Sequence, residues 1–131
     1  MKLSMEDISL INALNQVTGV SPKDCLVEGQ LISYLIPDAL MGKAIGKAAT
    51  NVKMLEQKLN KRVEMVAYLE KPEDLFAKAL EVEIVTARTS NGQVIVLLDA
   101  ANKAKTYKNS SRLRRVRELI KRNFNLELVI N

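Results

Sequence analysis

The sequence contains no histidine and no tryptophan, and only one of its 131 residues is a cysteine, Cys25. A single cysteine cannot form an intramolecular disulfide, and a chain without histidine cannot build a Ser-His or Cys-His catalytic pair or a histidine-containing zinc site. No pair of acidic residues stands out in a setting that would raise the pKa of one of them. We therefore expect a protein that is not an enzyme and that uses no metal, no cofactor and no small-molecule substrate.

Long apolar segments and aromatic residues are also scarce. The apolar run Val94–Leu98 is far shorter than the ~20 residues that a membrane-spanning helix needs, and Glu6 and Asp7 lie where a signal peptide would be apolar. Aromatic residues make up only 4% of the chain, which argues against an aromatic platform for stacking bases. With 47% hydrophobic and 27% charged residues, the sequence predicts a globular, cytoplasmic protein with no membrane partner.

The charge of the chain is positive and unevenly distributed. Lysine and arginine number 20 against 15 acidic residues, and the pI is about 9.4. Residues 1–71 carry a net charge of +1, whereas residues 72–131 carry +4. An excess of this kind favours a polyanionic partner such as nucleic acid, although a charge of this size is also compatible with solubility alone.

Hydrophobic periodicity and turn residues predict the same order of elements in both halves of the chain. In the first half we expect a helix at 4–17, strands at 24–28 and 31–36, a short helical stretch within 39–49, a helix at 51–59 and a strand at 62–68. In the second half we expect a helix at 72–80, strands at 82–89 and 93–98, a short helix at 100–104, a helix at 111–124 and a strand at 126–130. Ser4 with Asp7 forms a capping-box pattern for the first helix, and Gly19 is placed to end it.

The two halves are also similar residue by residue. An offset of 61 places Val52 on Leu113, Leu55 on Val116 and Leu59 on Ile120. Self-similarity at a fixed offset indicates duplicated units. The sequence therefore predicts an α+β protein with two modules, 1–71 and 72–131, each with the order helix-strand-strand-helix-helix-strand.

A glycine-containing segment, residues 42–52, separates two predicted helices of the first module. Glycine allows the backbone to approach a ligand closely, and the amides that open the next helix favour phosphate. Lys43 and Lys47 add positive charge beside those amides. Ala48 follows Gly46-Lys47 where the phosphate-binding loop of nucleotide hydrolases would have serine or threonine, so nucleotide hydrolysis is disfavoured.

The stretch Ala44–Lys53 resembles the I-G-x-x-G-x-x-I core of KH domains, and the order of elements resembles the type II, prokaryotic form. Two such modules in tandem, together with the basic stretch Arg114–Leu119, resemble the archaeal NusA-like transcription termination factors. The resemblance implies binding of single-stranded RNA and a role in transcription termination or antitermination, with RNA polymerase as a candidate partner. The RNA-binding residues expected in the first module are Lys43, Ile45, Gly46, Lys47, Ala48, Ala49, Thr50, Asn51 and Lys53. Those expected in the second module are Lys103, Lys105, Lys108, Arg112, Arg114 and Arg115.

This sequence departs from the KH pattern in both loops. Ala49 occupies the position of the second glycine, and its methyl group would cost about 1–2 kcal/mol in a left-handed conformation but almost nothing in an ordinary first helical turn. The second loop, Tyr107–Ser110, has lost both glycines, and we expect its asparagine and serine to cap the next helix. The second module therefore also fits an alternative function, in which it docks its basic C-terminal helix on polymerase or ribosome and the protein binds RNA weakly.

The predicted helix 111–124 is the most basic element of the chain. Helical periodicity predicts a buried stripe made of Leu113, Val116, Ile120 and Phe124. The face expected to meet solvent or a partner carries Arg114, Arg115, Lys121 and Arg122. We expect this face to supply electrostatic steering and phosphate contacts, while the first module supplies the glycine loop.

Overall fold

The computed structural model describes residues 3–131, so the first two residues of the predicted module 1–71 lie outside the described range. The chain divides into two compact units, one ending at Tyr68 and the other beginning at Leu69. The first unit contains α1 (Met5–Thr18), β1 (Asp24–Glu28), β2 (Leu31–Pro37), α2 (Met41–Ile45), α3 (Thr50–Leu59) and β3 (Arg62–Tyr68). The second unit contains α4 (Pro72–Leu80), β4 (Thr86–Ser90), β5 (Gln93–Leu97), α5 (Ala100–Lys108), α6 (Ser110–Phe124) and β6 (Glu127–Ile130).

The two units have the same sheet topology. The strand orders are β1-β2-β3 and β4-β5-β6, and in each sheet the first pair is antiparallel and the second pair is parallel. The start of the central strand lies beside the start of the last strand in both cases, with Leu31 opposite Arg62 and Gln93 opposite Glu127. The α+β class and repeated element order predicted from the sequence are confirmed, and they are consistent with tandem KH-like modules.

The helices of the first unit pack on one face of its sheet around fully buried side chains. Leu14 of α1, Tyr34 of β2 and Leu55 of α3 are among the residues with no exposed surface. The hydroxyl of Tyr34 donates a hydrogen bond to the backbone carbonyl of Leu10 at 2.7 Å, which ties the central strand to α1. Burial, together with nearby Cys25, raises the pKa of Tyr34 well above its usual range, so this hydroxyl remains a donor.

Both predicted ends of α1 are formed, and left-handed residues also end α3, α4 and α6. The capping box of Ser4 and Asp7 is formed, and Gly19 ends α1 in a left-handed conformation with φ of 73°. Glu81 ends α4 in the same way, with φ of 57°. Asn60 and Asn125 end α3 and α6 with nearly identical left-handed dihedral angles. The duplication therefore extends to the turns that set the entry angle of the next strand.

In each unit, a side chain at the same position of the last helix forms a hydrogen bond with the edge strand that follows. In the first unit, a carboxylate oxygen of Glu56 on α3 accepts a hydrogen bond from the amide of Val63 at 3.1 Å. In the second unit, the guanidinium of Arg117 on α6 donates to the carbonyl of Leu128. Glu56 and Arg117 are 61 residues apart, so equivalent side chains of opposite charge bond the outer edges of β3 and β6. Each bond satisfies one backbone group at an outer sheet edge, where unpaired groups can pair with other chains.

Two element boundaries in the second unit were predicted wrongly. Strand β4 begins at Thr86 rather than at residue 82, because the amide of Val82 bonds the carbonyl of Ala77 at the end of α4. The amide of Glu83 is bound by the side chain of Asn102, so it is also unavailable for a strand ladder. Helix α5 extends to Lys108 rather than to residue 104, and Asn109 alone separates it from α6.

Candidate nucleic-acid interface

The turn between α2 and α3 has an unusual backbone. Gly46 has φ of 79° and ψ of 167°, a combination that is accessible almost only to glycine. Ala48 (φ 54°, ψ 34°) and Ala49 (φ 59°, ψ 28°) are both left-handed. The sequence left open whether Ala49 is left-handed or part of an ordinary first helical turn. In the structure Ala49 adopts the left-handed conformation that glycine would take, and Ala48 does so as well. We call residues 46–49 the clamp loop.

Steric contacts explain why residue 46 is glycine. A Cβ atom at this position would lie 2.9 Å from Cγ and 3.1 Å from the backbone nitrogen of Asn51. At Gly42, four residues earlier, an added Cβ would have no atom within 4 Å among the described residues, and the backbone has no positive φ. The two glycines of the sequence motif therefore differ, and only Gly46 is required by the geometry of the turn.

Short-range hydrogen bonds hold the clamp loop. The side-chain amide of Asn51 donates to the carbonyl of Lys43 at 3.1 Å, across the mouth of the turn. The hydroxyl of Thr50 donates to the carbonyl of Lys47. The amide of Ala49 donates to the carbonyl of Gly46 at 3.2 Å. These three hydrogen bonds thus close the turn.

The surroundings of the clamp loop are electropositive. Residues 39–55 contain three lysines, at positions 43, 47 and 53, and no acidic residue. All three lysines are exposed, as are Ala48 and Thr50, while Ile45 and Asn51 are half-buried. Within the described chain no side chain caps the start of α3, although Ser4 caps α1 and Asp99 caps α5. Helix amides left uncapped beside lysines favour an anionic ligand.

The left-handed alanines store conformational free energy, and their replacement tests this directly. Ala49→Gly should raise the free energy of unfolding by about 0.5–1 kcal/mol, because about 1–2 kcal/mol of steric cost is relieved while glycine adds entropy to the unfolded chain. Urea denaturation measures the change. Ala104→Gly, in the exposed middle of α5, is the matched control and should lower stability by about 1 kcal/mol. A destabilised Ala49→Gly variant would contradict the left-handed assignment.

The second unit has no loop of this kind. Within residues 93–124, all of which the structure describes, no residue has a positive φ. Asn109 has φ of −105° and, of the described side chains, neither its own nor another caps α6. The predicted cap is therefore not formed, and α5 continues almost directly into α6. The repeat conserves strands and helices but not the turn that would bring the backbone to a phosphate.

Two of the basic residues predicted to bind RNA in the second unit bond its own backbone. The ammonium group of Lys105 donates to the carbonyl of Glu81 at 2.7 Å, and the guanidinium of Arg112 donates to the carbonyl of Ala79 at 3.2 Å. Both carbonyls lie at the C-terminal end of α4, where a cation is favoured by the helix dipole. Lys103 is half-buried, whereas Lys108 and Arg114 are exposed.

The prediction that Arg115 faces solvent is wrong. Its side chain is only 8% exposed and donates a hydrogen bond to the hydroxyl of Ser111. The buried side of α6 is centred on Leu119, which has no exposed surface, whereas Phe124 is only half-buried. Because α6 packs against both α4 and β6, its buried face is wider than the predicted stripe and includes position 115.

Charge reversal at neighbouring arginines should therefore have very different effects. Arg115→Glu is expected to lower the free energy of unfolding by about 2 kcal/mol or more, because it buries a carboxylate in a site that the arginine side chain fills. Arg114→Glu, at the exposed neighbouring position, should change it by less than about 0.5 kcal/mol. Urea denaturation of both variants measures the difference, and equal stabilities would place Arg115 at the surface.

A cleft of about 340 Å³ lies between α6 and β6. Its charged lining is mixed, with Arg114, Arg117, Glu118, Lys121 and Glu127. Lys121 forms an ion pair with Glu127 at 3.9 Å, so part of the positive charge is compensated there. Residues 3–131 contain no cluster of three or more histidine, cysteine or acidic side chains suited to a metal ion, and no helix among them is long and apolar enough to span a bilayer.

Three curated archaeal proteins are similar to this chain, and each is named "Probable transcription termination protein NusA". The one from Halococcus morrhuae is 34% identical over 87 residues, which is 65% of this chain and 63% of that protein. The one from Methanocaldococcus jannaschii is 29% identical over 68 residues, or 52% and 37% of the two chains. The one from Methanococcus vannielii is 31% identical over 70 residues, or 53% and 40%. The chain thus spans less than two thirds of each relative.

The structural comparison covers more of the chain. The crystal structure of APE1850 superposes with a TM-score of 0.85 and 25% sequence identity, over 98% of this chain and 100% of that one. No protein-family model matches the sequence. The names of the three sequence relatives nevertheless agree with one another and with the NusA-like resemblance of the sequence. These similarities support a relationship between this chain and the NusA-like family of archaeal proteins.

Proposed function

We propose that this chain is a non-catalytic protein that binds single-stranded RNA through the clamp loop and acts in transcription termination. The observation that carries the proposal is the loop itself. Gly46, Ala48 and Ala49 all have positive φ, and they lead into a helix that lacks a side-chain cap and is flanked by Lys43, Lys47 and Lys53. This combination offers backbone amides and positive charge to a phosphodiester.

Small side chains are an essential part of this proposed contact. Ala48 is exposed and Ala49 is half-buried, and each carries only a methyl group, so a sugar-phosphate backbone can approach these positions closely. Lys47 then supplies a charge within the loop, and Lys43 and Lys53 supply charges on either side. Because the contact is made to phosphates, the affinity should fall with salt, and base preference should come from residues outside the loop.

The proposed cellular role rests on the relatives. Their printed name refers to transcription termination, and a termination factor that holds the nascent transcript would work beside RNA polymerase in the cytoplasm. Antitermination would use the same RNA contact. In this proposal the first unit carries the RNA clamp, and the second unit adds positive charge through Lys108 and Arg114.

A second candidate function for the second unit is protein docking. It is favoured by the absence of positive-φ residues between 93 and 124, a range that is fully described. It is also favoured by the exposed positions of Arg114, Lys121 and Arg122 along α6. Under this alternative, α6 would meet an acidic surface of polymerase or ribosome, and RNA binding would be weak.

A fluorescence anisotropy titration distinguishes the two candidates. The intact protein is titrated into a labelled, randomised RNA of about 12 nucleotides at low and near-physiological salt, with a matching RNA duplex as competitor. Saturable binding that prefers the single strand and persists at the higher salt supports the clamp. Binding that disappears with salt, or that the duplex competes for equally well, rejects the clamp and leaves a basic surface suited to docking.

A further inference from the structure

Asn51 occupies a special position relative to the clamp loop. Its side-chain amide donates a hydrogen bond to the carbonyl of Lys43 at 3.1 Å, so it connects the first turn of α3 to α2. The same side chain lies against Gly46, where its Cγ is 2.9 Å and its Nδ2 is 3.0 Å from the site of a Cβ atom. Asn51 is half-buried, so it is only partly accessible to solvent.

This chain has a particular need for such a contact. A loop with glycine at its last position adopts a left-handed conformation without steric cost, but Ala48 and Ala49 would both relax toward φ below zero if nothing held them. The bond from Thr50 to the carbonyl of Lys47 spans only part of the turn. The bond from Asn51 to Lys43 closes the whole turn, because Lys43 lies in α2, three residues before Gly46, and Asn51 lies in α3, two residues after Ala49.

We propose that Asn51 is a positioning residue that holds the clamp loop in its phosphate-accepting conformation, in place of the glycine that the loop lacks. This proposal rests on the proposed function and refines it. The sequence placed Asn51 among the residues that touch RNA, whereas here it acts on RNA through Gly46, Ala48 and Ala49. A direct contact and a positioning role predict different responses to glycine substitutions in the loop.

The test is a double-mutant cycle between Asn51 and the two alanines. Asn51→Ala should weaken the affinity for a 12-nucleotide single-stranded RNA by about tenfold, because one closing hydrogen bond is lost. Ala48→Gly with Ala49→Gly should change the wild-type affinity by less than about threefold. The triple variant should regain most of the lost affinity, since glycine adopts the left-handed conformation without the help of Asn51.

Two further variants control the experiment. Gln57→Ala, an exposed change later on the same helix, should bind RNA like the wild type. Asn51→Ser remains polar but is too short to reach the carbonyl of Lys43, so it should behave like Asn51→Ala and replaces it if the alanine variant does not fold. Urea denaturation confirms that each variant is folded at the temperature of the titration.

A measurement without RNA separates this proposal from the proposed function. The Cα and Cβ chemical shifts of Ala48 and Ala49 report their φ angles, and they should move toward right-handed values in Asn51→Ala but not in Gln57→Ala. If the wild type fails to bind RNA, the proposed function is wrong, and these shifts alone decide the role of Asn51. Unchanged shifts, unchanged affinity of Asn51→Ala, or an affinity loss that glycine does not rescue would each overturn the positioning role.

Discussion

Replacing Gly46 by alanine is expected to weaken single-stranded RNA binding by up to about 30-fold. The φ and ψ angles of Gly46 lie in a region of backbone conformation that costs other residues about 1–3 kcal/mol. The new Cβ atom would also lie 2.9 Å from Cγ of Asn51. A total cost of about 2 kcal/mol lowers the equilibrium constant for forming the native clamp loop about 30-fold, and the apparent affinity falls by up to the same factor. Fluorescence anisotropy measures this loss.

Gly42→Ala is the matched control, because it makes the same chemical change four residues earlier. An added Cβ there has no atom within 4 Å in the described chain, and residue 42 is helical. This variant should bind RNA like the wild type and should be about 0.5–1 kcal/mol more stable, as alanine is favoured over glycine inside a helix. Equal RNA affinities of the two alanine variants would show that the conformation of residue 46 is irrelevant to binding.

Introducing two aspartates at the tip of the clamp loop should abolish RNA binding while the fold remains intact. Lys47→Asp with Ala48→Asp removes one positive charge and adds two negative charges where we propose that phosphate binds, so we expect an affinity loss of more than about 30-fold. Both positions are exposed, and aspartate tolerates the left-handed conformation at position 48 better than alanine does. The free energy of unfolding should therefore change by less than about 0.5 kcal/mol.

A control with the same change in net charge tests whether position matters. Lys71→Asp with Ala101→Asp places two carboxylates at the exposed N-terminal ends of α4 and α5, where they suit the helix dipole. We expect at most about a threefold loss of affinity, from the lower overall charge. If the two double variants lose affinity equally, binding depends on net charge and the clamp loop has no specific role.

Much of the fold could be predicted from local sequence patterns. The capping box of Ser4 and Asp7 and the left-handed Gly19 define α1, and the alternation in residues 62–68 defines β3 with its observed bounds. Each of these features depends on residues that are close together in the sequence. The boundaries of β4 and α5 were missed because they depend on contacts between distant residues, such as the bond between Glu83 and Asn102.

The turn at residues 46–49 could be predicted from the sequence, but its backbone conformation could not. Glycine and lysine spacing singled out residues 42–52, and the resemblance to KH domains placed the loop at 46–49, yet neither could show that Ala48 is left-handed, since alanine has no preference for that conformation. Charge spacing likewise placed Arg115 at the surface, whereas the packing of α6 buries it. No local sequence pattern indicated that Lys105 and Arg112 donate hydrogen bonds to carbonyls at the end of α4.

The most direct test of the central claim is a residue-resolved NMR titration of the intact protein with the 12-nucleotide single-stranded RNA. We predict that the largest amide shift changes occur at residues 43–53, around the clamp loop, and that they are lost in the variant Lys47→Asp with Ala48→Asp. Shift changes confined to residues 100–124 would contradict it, because the RNA would then bind the basic helices of the second unit.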